Sequence, residues 1–243
     1  MATPRFYCPE ALETGAHAEL RGQAGHHALR VLRLAIGDGV ILFNGLGGEY
    51  EGRIVRADKR GVAVHVGPWR GGEREPPLSI TLAQAISSGE KMDFTIQKAV
   101  ELGVACIQPL AGSRSVVRLD QARADKRVRH WQGVAISACE QCGRNRVPEV
   151  APVMALADWL RGRHDGALRI MLSPHAGRPL RDIPAPSGRV TLLVGPEGGF
   201  SADEEQAALA GGFQPICLGP RILRTETAAL AAVAAMQTLW GDF

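Results

Sequence analysis

Two stretches in the second half of the chain, VTLLVGPEGGFSADEE (190–205) and ICLGPRILRTETAALAAVAAMQ (216–237), share one design. Each is a short apolar run, a glycine-containing turn, and polar residues that open a helix. A strand that is apolar at every position must be covered on both faces, which an open sheet achieves when it is mostly parallel and carries helices above and below. The same rhythm of strand then helix runs through SITLAQAI, EKMDFTIQKAVELG, ACIQPLAG, a long helix from about Asp120 to Cys142, and LRIMLS at 168–173. Residues 73–243 are therefore expected to form an α/β domain around a mostly parallel sheet.

The first 72 residues read differently. ILFN (41–44), YEGRIVRA (50–57) and VAVHV (62–66) are short strands between Gly- and Asp-containing turns, interrupted by one short helix, HHALRVLRL. GPWRGGEREPP (67–77) has no apolar periodicity and predicts a linker, so a small β-rich domain is expected over 1–72. Hydrophobic residues at 45% and charged residues at 22% are those of a folded globular chain, which excludes a disordered tail or a coiled coil. The absence of an uninterrupted apolar run or a secretory signal makes the cytoplasm the expected location and a membrane partner unexpected. Five scattered cysteines predict no disulfide framework, and Cys139 and Cys142 lack the further ligands that a tetrahedral metal site needs, so no metal is expected.

VGPEGGFS lies at the carboxyl end of a buried strand, the edge where open α/β sheets place ligands. Gly195, Gly198 and Gly199 remove side chains beside the backbone, and Ser201 with Glu204 has capping-box spacing. The turn is neither GxxxxGKS nor GxGxxG, and Glu197 would repel a phosphate, so a nucleotide triphosphate or dinucleotide is disfavoured. In the second loop Gly219 and Pro220 set the turn, Ile222 and Leu223 offer apolar walls, and Arg224, Thr225, Glu226 and Thr227 offer hydrogen bonds at a helix start. Such a pocket suits adenine and a thioether-like tail better than phosphates. Between the two regions, residues 112–146 hold eight Lys/Arg (114, 118, 123, 126, 127, 129, 144, 146) against three acids (120, 125, 140), a local +5. This reads either as a solvated helix face or as a patch contacting phosphates of a nucleic acid.

GPEGGFS, LGPRILRTETA, ACEQCGRNRVPEV (138–150) and GEKMDFTIQKAVELGV (89–104), taken together, resemble the RsmE family along nearly the whole chain. The resemblance implies a SPOUT-class methyltransferase domain with a trefoil knot, preceded by a PUA-like RNA-binding domain. It further implies a homodimer that uses S-adenosyl-L-methionine to methylate N3 of a uridine in the decoding region of bacterial 16S rRNA, with the rRNA met within the small ribosomal subunit. Carried over by motif, Leu172 and Ser173, then Gly195, Pro196, Glu197, Gly198 and Gly199, then Leu218, Gly219, Ile222, Leu223, Arg224 and Thr225 would contact the cofactor. Arg144 is the candidate for steadying the uridine anion, with Glu140 or Glu226 accepting its proton or fixing that arginine. Arg5, His26, Arg30, Arg33, Arg114, Arg123, Lys126 and Arg127 are the candidates for RNA contact. The rival reading, a non-catalytic ribosome-assembly RNA-binding protein, has no need of two ligand-shaped loops.

Overall fold

The computed structural model describes residues 3–59, 61–115, 120–162 and 166–243; Arg118 of the basic block lies outside them. The chain divides into two compact units, Met1–Glu75 with Cys139–Val147, and Pro76–Ala138 with Pro148–Phe243.

In the first unit, strands β1 (Arg5–Tyr7) and β2 (His17–Leu20) precede helix α1 (Gly22–His26), and β3 (Gly39–Phe43), β4 (Glu49–Asp58) and β5 (Gly61–Arg70) follow. They form a sheet in the order β1-β3-β4-β5-β2, antiparallel except where β1 lies beside β3. Alternation closes the core: Val62, Val64 and Val66 of β5 point the same way and meet Phe6, Leu20, Val40, Leu42 and Ile54. Each such side chain contributes about 1.5–3 kcal/mol relative to exposure. Strands β1 and β2 are too short to carry a readable alternation. The expected helix HHALRVLRL is displaced: it begins at Gly22, widens to a π-helix over His27–Val31, and cannot continue past Arg33, whose φ is +56°.

Residues 139–147 complete this unit through long-range hydrogen bonds. Arg5 donates to Asn145 Oδ1 at 2.6 Å and to Arg144 O at 3.4 Å, Asn145 Nδ2 donates to Gly72 O at 2.7 Å, and Tyr7 N donates to Glu140 Oε1 at 3.0 Å. Cys139 is buried here, its Sγ 3.6 Å from Arg146 O, and burial pushes its thiol up to about 12, so it stays protonated at neutral pH.

The second unit alternates as expected: β6 (Ser79–Ala85), α2 (Glu90–Glu101), β7 (Cys106–Ala111), α3 (Gln121–Cys142, its last turn in the first unit), β8 (Glu149–Val150), β9 (Met154–Ala155), α4 (Leu156–Leu160), β10 (Leu168–Leu172), β11 (Arg189–Val194), α5 (Ala202–Ala210), β12 (Gln214–Ile216) and α6 (Thr225–Trp240). Among the described residues the sheet has seven strands, in the order β12-β10-β11-β6-β7-β8 with β9 also on β7, and every pairing is parallel. The short β8, β9 and α4 have no counterpart in the sequence pattern. Small residues let α6 sit close: Ala229, Ala232, Val233 and Met236 are buried, and Gln237 Nε2 donates to Leu102 O at 3.0 Å where α2 ends. Trp131, fully buried on α3, donates its indole N–H to Asp93 of α2 at 3.1 Å. Among the described residues no helix is long and apolar enough to cross a membrane.

Candidate functional site

Parallel strands bring their carboxyl ends to one edge of the sheet. Neighbours β11, β10 and β12 each release a loop there, and the three loops enclose a cavity of about 670 Å³, within the usual span for small-molecule sites. The first loop contributes Leu172 and Ser173, the second Gly195, Pro196, Glu197, Gly198 and Gly199, and the third Leu218, Gly219, Ile222, Leu223, Arg224 and Thr225. Every residue assigned to the cofactor by motif thus faces one space. Val194, Ile216, Leu218 and Leu223 give it apolar walls, and Glu197 and Glu205 place carboxylates on its lining. Two of its cations are engaged by the protein itself: Lys91 Nζ lies 3.2 Å from Glu197 Oε1, and Arg114 Nη1 donates at 3.1 Å to both Gly198 O and Phe200 O. Apolar walls and backbone groups fit an adenosyl group and the carboxylates fit a cationic tail, while Arg221 and Arg224 add positive charge to the same lining.

The glycines of the turn differ in their surroundings. A Cβ on Gly195 would press on the Phe200 ring at 3.2 Å, so this glycine makes room for the protein's own side chain, whereas one on Gly198 would come into ordinary contact with Arg114 Cβ at 3.4 Å. Gly199 stands in open space but has a φ of +68°, a conformation that a side chain would strain. All three glycines line the cavity. The turn ends in the predicted capping box: Glu204 N donates to Ser201 Oγ at 3.2 Å and Ser201 N to Glu204 Oε2 at 2.8 Å. Glu204 Oε1 also accepts Ser113 N at 2.7 Å, tying the loop after β7 to the turn. Burial alone would raise the Glu204 pKa, but the bonds from Ser113 and Ser201 hold it below its ordinary value. Glu197 is likewise held low: its burial is outweighed by its own backbone N–H, Lys91 and Ser88.

Residues 74–237 match the RNA methyltransferase domain model, and residues 20–66 match that of the RNA methyltransferase PUA domain. The chain belongs to the RNA methyltransferase family. It is 35% identical to the ribosomal RNA small subunit methyltransferase E of Buchnera aphidicola over 99% of this chain and 95% of that protein. Among solved structures it resembles a methyltransferase from Legionella pneumophila with SAM bound (TM-score 0.96, 42% identity, all of both chains). It also resembles the ribosomal RNA small subunit methyltransferase E of Neisseria gonorrhoeae bound to S-adenosyl methionine (TM-score 0.92, 45% identity, all of both chains). The α/β domain with a parallel sheet and the β-rich PUA domain are thus those of an RNA methyltransferase.

In this methyltransferase the remaining candidates fall in several places. Arg144 is only 4% exposed and holds Glu75 through both arms of its guanidinium, with Nε to Oε1 at 3.0 Å. Glu140 is committed to Tyr7 N, and burial pushes its pKa up against the opposing pull of that bond, His27 and Arg5. Glu226 follows Thr225 in the first turn of α6; its Oε2 is shielded from solvent with no hydrogen-bond partner among the described residues. Arg5 is engaged inside the first unit by Glu49, Asn145 and the Phe43 ring, which leaves its guanidinium little surface to offer RNA. His26, Arg30 and Arg33 are exposed around α1 and the π-helix, and Arg123 and Lys126 are exposed on α3 with Arg127 half-buried. Arg114 braces the glycine turn. The sequence reading also passed over Lys91, whose signal is its place one residue past a Ser-Ser-Gly-Glu turn, and over Glu205, His175 and Arg221, which carry none.

Proposed function

We propose that this RNA methyltransferase binds S-adenosyl-L-methionine in the cavity above β10, β11 and β12 and methylates N3 of a uridine in the decoding region of 16S rRNA. The observation that carries the reading is the convergence of three motif-bearing loops on one apolar-walled cavity, in a chain whose close relatives are named as small-subunit rRNA methyltransferases or hold SAM. The same reading takes 1–72 as the RNA-binding module and 73–243 as a SPOUT-type, trefoil-knotted catalytic domain, acting as a homodimer on the small ribosomal subunit.

S-adenosylmethionine, when bound, supplies a methyl group made electrophilic by its sulfonium. The chain must orient the two reactants and deal with the imide proton at N3, which water removes only when alkaline. Among the described residues Glu226 Oε2 has no hydrogen-bond partner, whereas Glu140 is engaged by Tyr7 N–H. Glu226 Oε2 is accordingly the better acceptor for that proton. Arg144 steadies negative charge on the uridine carbonyl oxygens, and Glu75 fixes the plane of its guanidinium for that task. Arg123, Lys126 and Arg127 on α3 contact the RNA backbone, with His26, Arg30 and Arg33 in the first unit, and Arg114 would have to leave the carbonyls of Gly198 and Phe200 to do so.

The test is transfer of a tagged methyl group to free 16S rRNA and to assembled small subunits, with the modified base identified by mass spectrometry. Label on N3 of one uridine is the expected result, and label on another base or none on either substrate overturns the assignment. Arg144→Ala should then lose about 100-fold or more in methylation with S-adenosylmethionine affinity nearly unchanged. A parallel loss of cofactor affinity would show that the arginine is structural.

A further inference from the structure

We propose that Gln84 is a positioning residue of the cofactor cavity, acting through Thr225; this rests on the reading of that cavity as the S-adenosylmethionine site. Gln84 lies in β6 beside Leu82, Ala83 and Ala85, with Ile86 just past the strand, all apolar and fully buried. It is itself 1% exposed, and it does not line the cavity. A leucine or methionine would fill such a position without burying an amide, so its polarity has to be explained by what the amide touches.

Gln84 Nε2 donates to Ala85 O at 3.0 Å and to Thr225 Oγ1 at 2.9 Å. Ala85 O can only accept, so the nitrogen, and not the oxygen, of the amide must face it. Thr225 Oγ1 consequently receives a hydrogen bond, and its single proton is directed to Gly195 O at 2.6 Å. Gln84 pairs in register with Val194, the residue just before Gly195. Gly195 opens the turn after β11, and Thr225 is the first residue of α6. The relay from Gln84 through Thr225 to Gly195 therefore sets the separation of the two loops that wall the cavity. Its cost is visible at the other end of the amide: Gln84 Oε1 is buried with no hydrogen-bond partner among the described residues. A strand retains such an orphan acceptor when the donor end of the same group fixes something of value.

Removal of the Gln84 donor leaves the Thr225 hydroxyl held by Gly195 O alone, so its position and that of the turn are set less firmly and the loss should appear in cofactor binding. The experiment is calorimetry with S-adenosylmethionine, together with separate KM values for cofactor and RNA, on Gln84→Met, Thr225→Val, Thr225→Ser and the double variant Gln84→Met/Thr225→Val. Gln84→Met and Thr225→Val should each weaken cofactor binding about tenfold, the scale of one buried hydrogen bond with its partner left unpaired. The double variant should be no weaker than the worse single one, because both break the same relay. Thr225→Ser should restore affinity to within about twofold, and the KM for RNA should not move. Wild-type affinity in Gln84→Met, or losses that add in the double variant, would overturn the proposal while leaving the cofactor reading intact. If Gln84→Met does not fold, the comparison of Thr225→Val with Thr225→Ser decides, and equal affinities would overturn it. Failure of the wild-type protein to bind S-adenosylmethionine would overturn the cofactor reading, and this proposal with it.

Discussion

Glu204 is the residue through which the fold of the glycine turn can be weighed most directly. Its carboxylate closes the capping box with Ser201 N and reaches across to Ser113 N, so Glu204→Ala removes two acceptors at once. The capping contribution is about 1 kcal/mol. The bond to Ser113 is exposed, and water can replace it, so it adds about 0.5 kcal/mol. A total of about 1.5 kcal/mol lowers the thermal midpoint of a chain of this size by roughly 3–6 °C. Thermal unfolding followed by circular dichroism at a series of pH values provides the assay. Because the folded pKa of Glu204 lies below its unfolded value, the stability it contributes is present in full above the ordinary glutamate range, about 4.3, and is lost as pH falls through the folded value. The gap between wild type and Glu204→Ala should thus be widest at neutral pH and narrow on acidification, whereas Ser201→Ala, which loses a hydroxyl acceptor, should leave a gap of about 1 kcal/mol that survives further into acid. A gap for Glu204→Ala that stays constant down to pH 3, or an unchanged midpoint at neutral pH, would refute the assignment of these bonds to an ionised carboxylate.

Gly199→Ala should cost about 1–2 kcal/mol in stability from its left-handed backbone while leaving the cavity open, whereas Gly195→Ala should press on Phe200, which lines the cavity, and weaken S-adenosylmethionine binding more; calorimetry and thermal unfolding on both variants separate the two effects. Charge reversal of Arg123, Lys126 and Arg127 to Glu should weaken RNA binding and flatten its dependence on salt, read from binding isotherms at several ionic strengths; an unchanged slope would make this face a solvated one. Glu140→Gln should be at least as stable as wild type at neutral pH, because burial raises the Glu140 pKa and its ionisation opposes folding. A raised folded pKa favours the folded state below the unfolded value and loses that advantage as pH rises through the folded one, so the gain from glutamine should vanish in acid unfolding curves.

Local signals carried the parts of this fold that local physics determines. Apolar runs such as 190–194 must be covered on both faces wherever they lie, and a Ser three residues before a Glu caps a helix from within its own first turn, so the sheet class and the capping box could be read from neighbouring letters. Short pieces without a period, β1, β2, β8, β9 and α4, could not. The larger gap concerns side chains whose partners are distant in sequence. The sequence offers Glu140, within the same motif, or Glu226 to fix Arg144, yet it is Glu75, 69 positions earlier, that holds both arms of its guanidinium. Arg5 looked like a terminal basic residue available to RNA, and is engaged by Glu49 and Asn145, the latter 140 positions away. The basic block of 112–146 shows why charge counted along a chain is a poor map of charge on a surface. Arg114 turns back to the carbonyls of the glycine turn, Arg123 and Lys126 stand exposed on α3, and Arg144 and Arg146 belong with the first unit. A local excess of +5 is thereby divided among a brace, a solvent-facing helix and a buried ion pair. Arg123, although 3.4 Å from Asp120, and Lys126 remain exposed on α3, which is why the charge-reversal experiment is aimed at that helix.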